Sequence, residues 1–235
     1  MTEHKVVSHA EWIAARQALL KEEKEFTRLR DALSRRRREL PWERVDKEYR
    51  FDGARGKVTL AEMFDGRSQL IIQHFMLGPD WDEGCKSCSF WADNYDGIDI
   101  HLNHRDVTFA AVSRAKLPKI EAYRKRMGWS FPWYSSDGSD FNFDYQVSFT
   151  PEQLAAGEAV HNYAVRPNKM SELAGTSVFF RDETGQVFHT YSCYARGLDM
   201  LNGAYHYLDL VPKGRDEAGL AYTMEWLRRH DQYET

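Results

Sequence analysis

Three cysteines among 235 residues are too few, and odd in number, for a disulfide-stapled scaffold. Only seven prolines, set against 42% hydrophobic and 14% aromatic residues, exclude collagen-like, disordered and coiled-coil rod architectures. Long apolar runs are missing too. The longest, Leu70 to Leu77, is broken by Gln73 and His74 and falls far short of the roughly 20 residues that cross a bilayer. The opening Met1 to His9 lacks the apolar core of a secretory signal, so a cytoplasmic location and no membrane partner are expected. Neither a Gly-x-Gly-x-x-Gly nor a Walker loop occurs, nor a Gly-x-Ser-x-Gly elbow; no cofactor is expected.

What remains is an ordinary globular composition with an uneven charge. Residues 1 to 40 hold 10 Lys/Arg against 7 Asp/Glu, and the rest holds 22 against 29, for a net charge of −4. An acidic body cannot release the counterions of a phosphate backbone, so nucleic acid is not an expected partner. The one basic cluster, Arg35 to Arg38, reads as the solvated end of a helix.

The length fits one domain, residues 41–235, behind a helical arm, residues 1–40. In the arm Trp12, Ile13, Leu19, Leu20, Phe26, Leu29 and Leu33 recur three to four apart, with Ser8 and Glu11 as a capping box, predicting a helix to about Arg37. Its apolar stripe must pack on the body or on a second subunit, and a homodimer through this helix is one expectation. A hairpin over residues 44–60, a central strand from Gln69 to Met76, and a loop Gly78-Pro79-Asp80-Trp81 follow. Next come a helix from Cys85 to Tyr95, extendable to His104, a strand Val107 to Ser113 and a helix Lys116 to Met127. A strand from Gly128 to Ser135, a hairpin of Gly175–Arg181 with Gln186–Tyr191, and a closing helix Gly219 to His230 complete an α/β fold with a mixed central sheet flanked by helices.

The cysteines carry the chemistry. Cys85-Lys86-Ser87-Cys88 follows a buried strand and opens a helix. Free N–H groups and the positive macrodipole end at a helix N-terminus favour a thiolate, which makes Cys85 the nucleophile. Three residues on, Cys88 returns to the same face and becomes the resolving thiol. Trp81 offers a flat apolar surface to a substrate, Asp82 or Glu83 could accept a proton, and Lys86 could lower the thiolate pKa further. The competing reading is that two small apolar residues merely line a buried helix face. Cys193 reads as a packing residue.

These features resemble the thioredoxin-like superfamily, and more closely a bacterial family of unassigned function described as predicted dithiol-disulfide oxidoreductases. The segments that carry the likeness include Leu40-Pro41-Trp42, Phe64-Asp65-Gly66-Arg67, His74-Phe75-Met76, Gly78-Pro79-Asp80-Trp81, Gly84-Cys85, Ser87-Cys88-Ser89-Phe90-Trp91 and Tyr194-Ala195-Arg196-Gly197. The resemblance implies a thioredoxin-like fold with an N-terminal helical extension. It also implies thiol-disulfide oxidoreductase activity with a disulfide-bearing substrate and a cellular thiol reductant as partners. Gly175-Thr176-Ser177 stands where thioredoxins carry a cis-proline, so Thr176 and Ser177 are expected on the substrate side with Trp81. Peroxidase chemistry fits less well, because Asp82 occupies the place of the peroxide-organising Thr.

From a different class comes a copper- or zinc-binding, or non-catalytic, thioredoxin-fold protein, with Cys85, Cys88 and His74 as ligands. His161, His189 and His206 could each approach the site, with nothing in the sequence to choose among them, and Asp137 to Asp140 lacks the acidic residue that closes a calcium loop.

Overall fold

The computed structural model describes residues 4–234, which divide along the chain into two compact units between Pro41 and Trp42. The first is a single 30-residue helix, α1 (His9–Arg38). The Ser8 hydroxyl accepts the Glu11 N–H at 3.3 Å while the Glu11 carboxylate accepts the Ser8 N–H at 2.9 Å, the capping box read from the sequence. Arg35 to Arg38 fill its last turn, where cations oppose the negative macrodipole end.

The second unit is built on an eight-stranded mixed sheet. Its elements in chain order are β1 (Glu43–Arg44), β2 (Arg50–Gly53), β3 (Gly56–Thr59), β4 (Gln69–His74), α2 (Lys86–Tyr95), α3 (Asp99–Asn103), β5 (Val107–Ser113), α4 (Leu117–Met127) and β6 (Trp133–Ser135). After these come α5 (Phe141–Asp144), α6 (Pro151–Ala156), a separate pair β7 (Val160–His161) and β8 (Ala164–Val165), then β9 (Gly175–Arg181), β10 (Val187–Tyr194) and α7 (Gly203–Leu208). The strand order is β1-β10-β9-β4-β5-β6-β2-β3. At its centre β4 and β5 are parallel, β9 runs against β4, and β10 runs against β9. That is the mixed four-strand core of a thioredoxin-like fold, as the resemblance implies.

The crossovers β4-α2-β5 and β5-α4-β6 step the same way along the sheet, so right-handedness places both helices on one face. Alternation in β4 separates two cores. Ile71 and Phe75 join Cys88, Trp91, Ala92, Ile120, Tyr123 and the aromatic trio Trp129, Phe131 and Trp133. Leu70 and Ile72 join Phe51, Phe64, Phe141 and Phe179 on the other face.

Several expectations are corrected. The helix expected from Cys85 to Tyr95 ends at Tyr95, and its possible extension to His104 is interrupted where Gly97 takes a left-handed φ of +84° before α3 begins. Of the strand expected over Gly128 to Ser135 only Trp133–Ser135 pairs, with β5; Trp129 and Phe131 before it lie outside the sheet ladder and are placed by their packing in one core. The closing helix Gly219 to His230 is absent: the segment is a series of turns, with Met224 at φ +67°. Its apolar side chains are placed by hydrogen bonds instead, Glu217 Oε1 accepting from the Met224 N–H and from Trp226 Nε1, both at 2.9 Å. Helix α6 was not expected; Thr150 and Gln153 form its capping box, with Pro151 in its first turn.

Candidate dithiol site

The end of β4 and the start of α2 hold each other. The Cys85 N–H donates to the Met76 carbonyl at 3.0 Å, and the Met76 N–H donates back to Cys88 Sγ at 3.4 Å. Cys85 is the N-cap residue of α2 and half-buried, whereas Cys88 is buried one turn in. None of the three cysteines is in a disulfide.

The two thiols diverge in acidity. Cys85 is pulled down to about 6, first by the Cys88 thiol that hydrogen-bonds to it, then by the Cys88 and Ser87 backbone N–H groups and the Ser87 hydroxyl, against the opposing effect of burial. Cys88 is pushed well above the ordinary thiol value by its hydrogen bond to Cys85, by burial and by the Cys85 charge. One proton shared between two sulfurs therefore rests on the inner one.

A clamp from the distant end of the chain steadies the loop before Cys85. Arg229 Nη2 donates to the Gly84 carbonyl at 2.7 Å, its Nε donates to the Tyr123 hydroxyl at 2.9 Å, and its Nη1 lies 2.8 Å from the Glu83 carboxylate. Tyr123 and Ser89 share a hydroxyl bond of 2.9 Å, and Ser89 donates to the Cys85 carbonyl at 2.9 Å. Gly84 has no room for a side chain: a Cβ would lie 2.6 Å from Tyr123 and 2.7 Å from Phe75. Arg126, then Arg229, holds the Glu83 carboxyl below the usual range. Composition and spacing gave no sign of Arg229 or Tyr123, since neither has a pattern tying it to residue 84; the glycine beside the motif was the one available signal.

Of the residues expected around the pair, Trp81 packs against the same core and its carbonyl accepts from Lys119 Nζ at 2.8 Å. Asp82 is exposed beside the loop. Lys86 turns away from Cys85: its ammonium donates to the Glu225 carbonyl at 2.9 Å and lies over the Tyr222 ring. Thr176 and Ser177 lie inside the protein. They are 4% and 0% exposed, Thr176 donating to Gln73 Oε1 at 2.5 Å and Ser177 bonding His74 Nε2 at 2.8 Å.

His74 is not a third ligand. Alternation along β4 sends it to the face opposite α2, where its ring lies against Phe141 and Tyr145. There a buried chain runs from His74 Nε2 through the Ser177 and Ser192 hydroxyls, 2.8 Å at each step, to His189 Nε2 at 2.7 Å. Burial, then His189, pushes the His74 imidazole down to about 3, so the ring is neutral. Among the described residues no three His, Cys, Asp or Glu side chains converge as a metal site. Among them, too, no helix is long and apolar enough to cross a membrane. Cys193 is buried in the core that contains Cys88, opposite Thr176 in the β9–β10 register.

No curated protein matches the chain. Among solved structures it is similar to a cysteine-to-serine mutant of Xanthomonas campestris peroxiredoxin Q, at 11% identity over 67% of this chain and 90% of that one, with a TM-score of 0.43. It is also similar to the Mycobacterium tuberculosis peroxidoxin BcpB, at 11% identity over 68% and 92% of the two chains, TM-score 0.42. A third is a Bacteroides thetaiotaomicron protein described as a candidate protein disulfide isomerase, at 16% identity over 70% and 86%, TM-score 0.39. The family described as "Bacterial protein of unknown function (DUF899)" matches residues 1–233, and this chain belongs to it.

Proposed function

We propose that this chain is a thiol-disulfide oxidoreductase in which Cys85 is the nucleophile and Cys88 the resolving thiol. The observation that carries the reading is the placement of the pair: Cys85 is the half-buried N-cap residue of α2, Cys88 is buried one turn in with its sulfur accepting the Met76 N–H, and the opposite directions of their acidity agree with an outer nucleophile and an inner resolving thiol.

The Cys85 thiolate attacks one sulfur of a substrate disulfide, forming a mixed disulfide and releasing the other sulfur as a thiolate that takes a proton from water. Cys85 then no longer carries the charge that held the Cys88 proton. Cys88 loses that proton to solvent or to the exposed Asp82 carboxylate and attacks Cys85 Sγ. The second substrate thiolate leaves, and the Cys85–Cys88 disulfide remains. Two electrons have passed to the substrate, and a cellular thiol reductant restores the pair by the same exchange in reverse. Trp81 supplies the apolar wall for the incoming chain.

Insulin reduction by the reduced protein tests the proposal. Cys85→Ser is expected to abolish turnover, and Cys88→Ser to halt it as a mixed disulfide visible by mass. Unchanged turnover in Cys85→Ser overturns it.

A further inference from the structure

Helix α1 presents an apolar line that nothing within the helix itself covers. No residue of α1 is buried, and Trp12, Leu19, Phe26 and Leu33 are 54%, 51%, 66% and 46% exposed. These four stand seven residues apart throughout. A seven-residue repeat is the period at which a helix keeps contact with a second helix wound about it. Ile13 and Leu20 widen the line in the first half, and Leu29 in the second. The helix is about 45 Å long, ample for a paired interface.

We propose that two copies of this chain associate through α1 in an antiparallel pair. The spacing sets the register of such a pair, and the charges choose its orientation. With Trp12 opposite the partner's Leu33, Leu19 falls opposite the partner's Phe26, so all four positions meet their mates about a two-fold axis near residues 22 and 23. Charge agrees. A parallel pair would set the Arg35 to Arg38 runs of both copies side by side, whereas the antiparallel pair sets each run against the end that carries Glu11 and opposes the two helix dipoles.

Sedimentation equilibrium of the full chain at micromolar concentration tests the pairing. The expected result is a dimer, with association at least tenfold weaker in Leu19→Ala/Phe26→Ala; alanine is the strongest helix former, so the loss would not reflect a melted helix, and far-UV circular dichroism would verify that. A parent chain that stays monomeric, or a double variant that still dimerises as tightly, overturns the proposal. Orientation is read from Arg36→Glu/Arg37→Glu: weakened association supports the antiparallel pair, and tightened association refutes it, because only a parallel pair gains by relieving the arginine repulsion.

Discussion

Removing the Cys88 sulfur should raise the pKa of Cys85 and so cut its thiolate fraction even before resolution is required. In the reduced protein Cys85 titrates at about 6, against about 8.5 for an ordinary thiol, a difference of about 3 kcal/mol in favour of the anion. At pH 7 that means roughly nine-tenths thiolate rather than a few per cent. The Cys88 thiol is the largest cause, and the backbone N–H groups of Ser87 and Cys88 remain in Cys88→Ala, so the expected value lies between about 7 and 8. The assay is the pH dependence of thiolate ultraviolet absorbance and of iodoacetamide alkylation, in a Cys193→Ser background. A parent Cys85 that half-ionises at the ordinary thiol value, or a Cys88→Ala curve that overlays the parent, would refute the reasoning. The sign carries into stability. A folded-state value held below the unfolded one adds stability above the unfolded value, and that stability is lost as pH falls through about 6. Only the reduced form contains the thiolate, so the same effect makes the disulfide the more oxidising partner as pH rises through this window.

Three further outcomes follow from neighbouring contacts. Arg229→Ala should slow alkylation of Cys85 by several-fold and broaden its pH profile, with little change in melting temperature; an unaltered profile would show that the loop before Cys85 is rigid without the clamp. Gly84→Ala should cost about 1–3 kcal/mol in urea denaturation, because its Cβ meets ring carbons of Tyr123 and Phe75. Arg114→Met should destabilise by about 3 kcal/mol, since it strands the buried Glu172 carboxylate it meets at 2.8 Å. Burial already raises the Glu172 pKa, so that loss should grow with rising pH and shrink as the carboxyl protonates; a pH-independent loss would assign it to packing alone.

Much of the scaffold was legible because local chemistry and tertiary packing agree. Ser8 and Glu11 start α1 as written, the branched run Gln69 to His74 is the central strand, and Cys85 caps α2. Where they disagree, the sequence misleads. Leu220, Met224 and Leu227 stand at helical spacing, yet Glu217 draws Met224 and Trp226 into turns, a choice made by hydrogen bonds across the chain. Thr176 and Ser177 occupy the anticipated strand position, but their burial depends on partners in β4 and β10 that composition cannot foretell. His74 failed for a simpler reason: period-two alternation places it back to back with Phe75, and only the packing of α2 decides which face holds the sulfurs.

The bond from Arg229 to Gly84 joins residues 145 positions apart. On a translating ribosome, the cysteines therefore emerge long before the guanidinium that braces their loop has been made. Until residue 229 has been made, Cys85 and Cys88 stand beside a loop that lacks its brace, so the geometry around the two sulfurs is completed by a late-synthesised side chain.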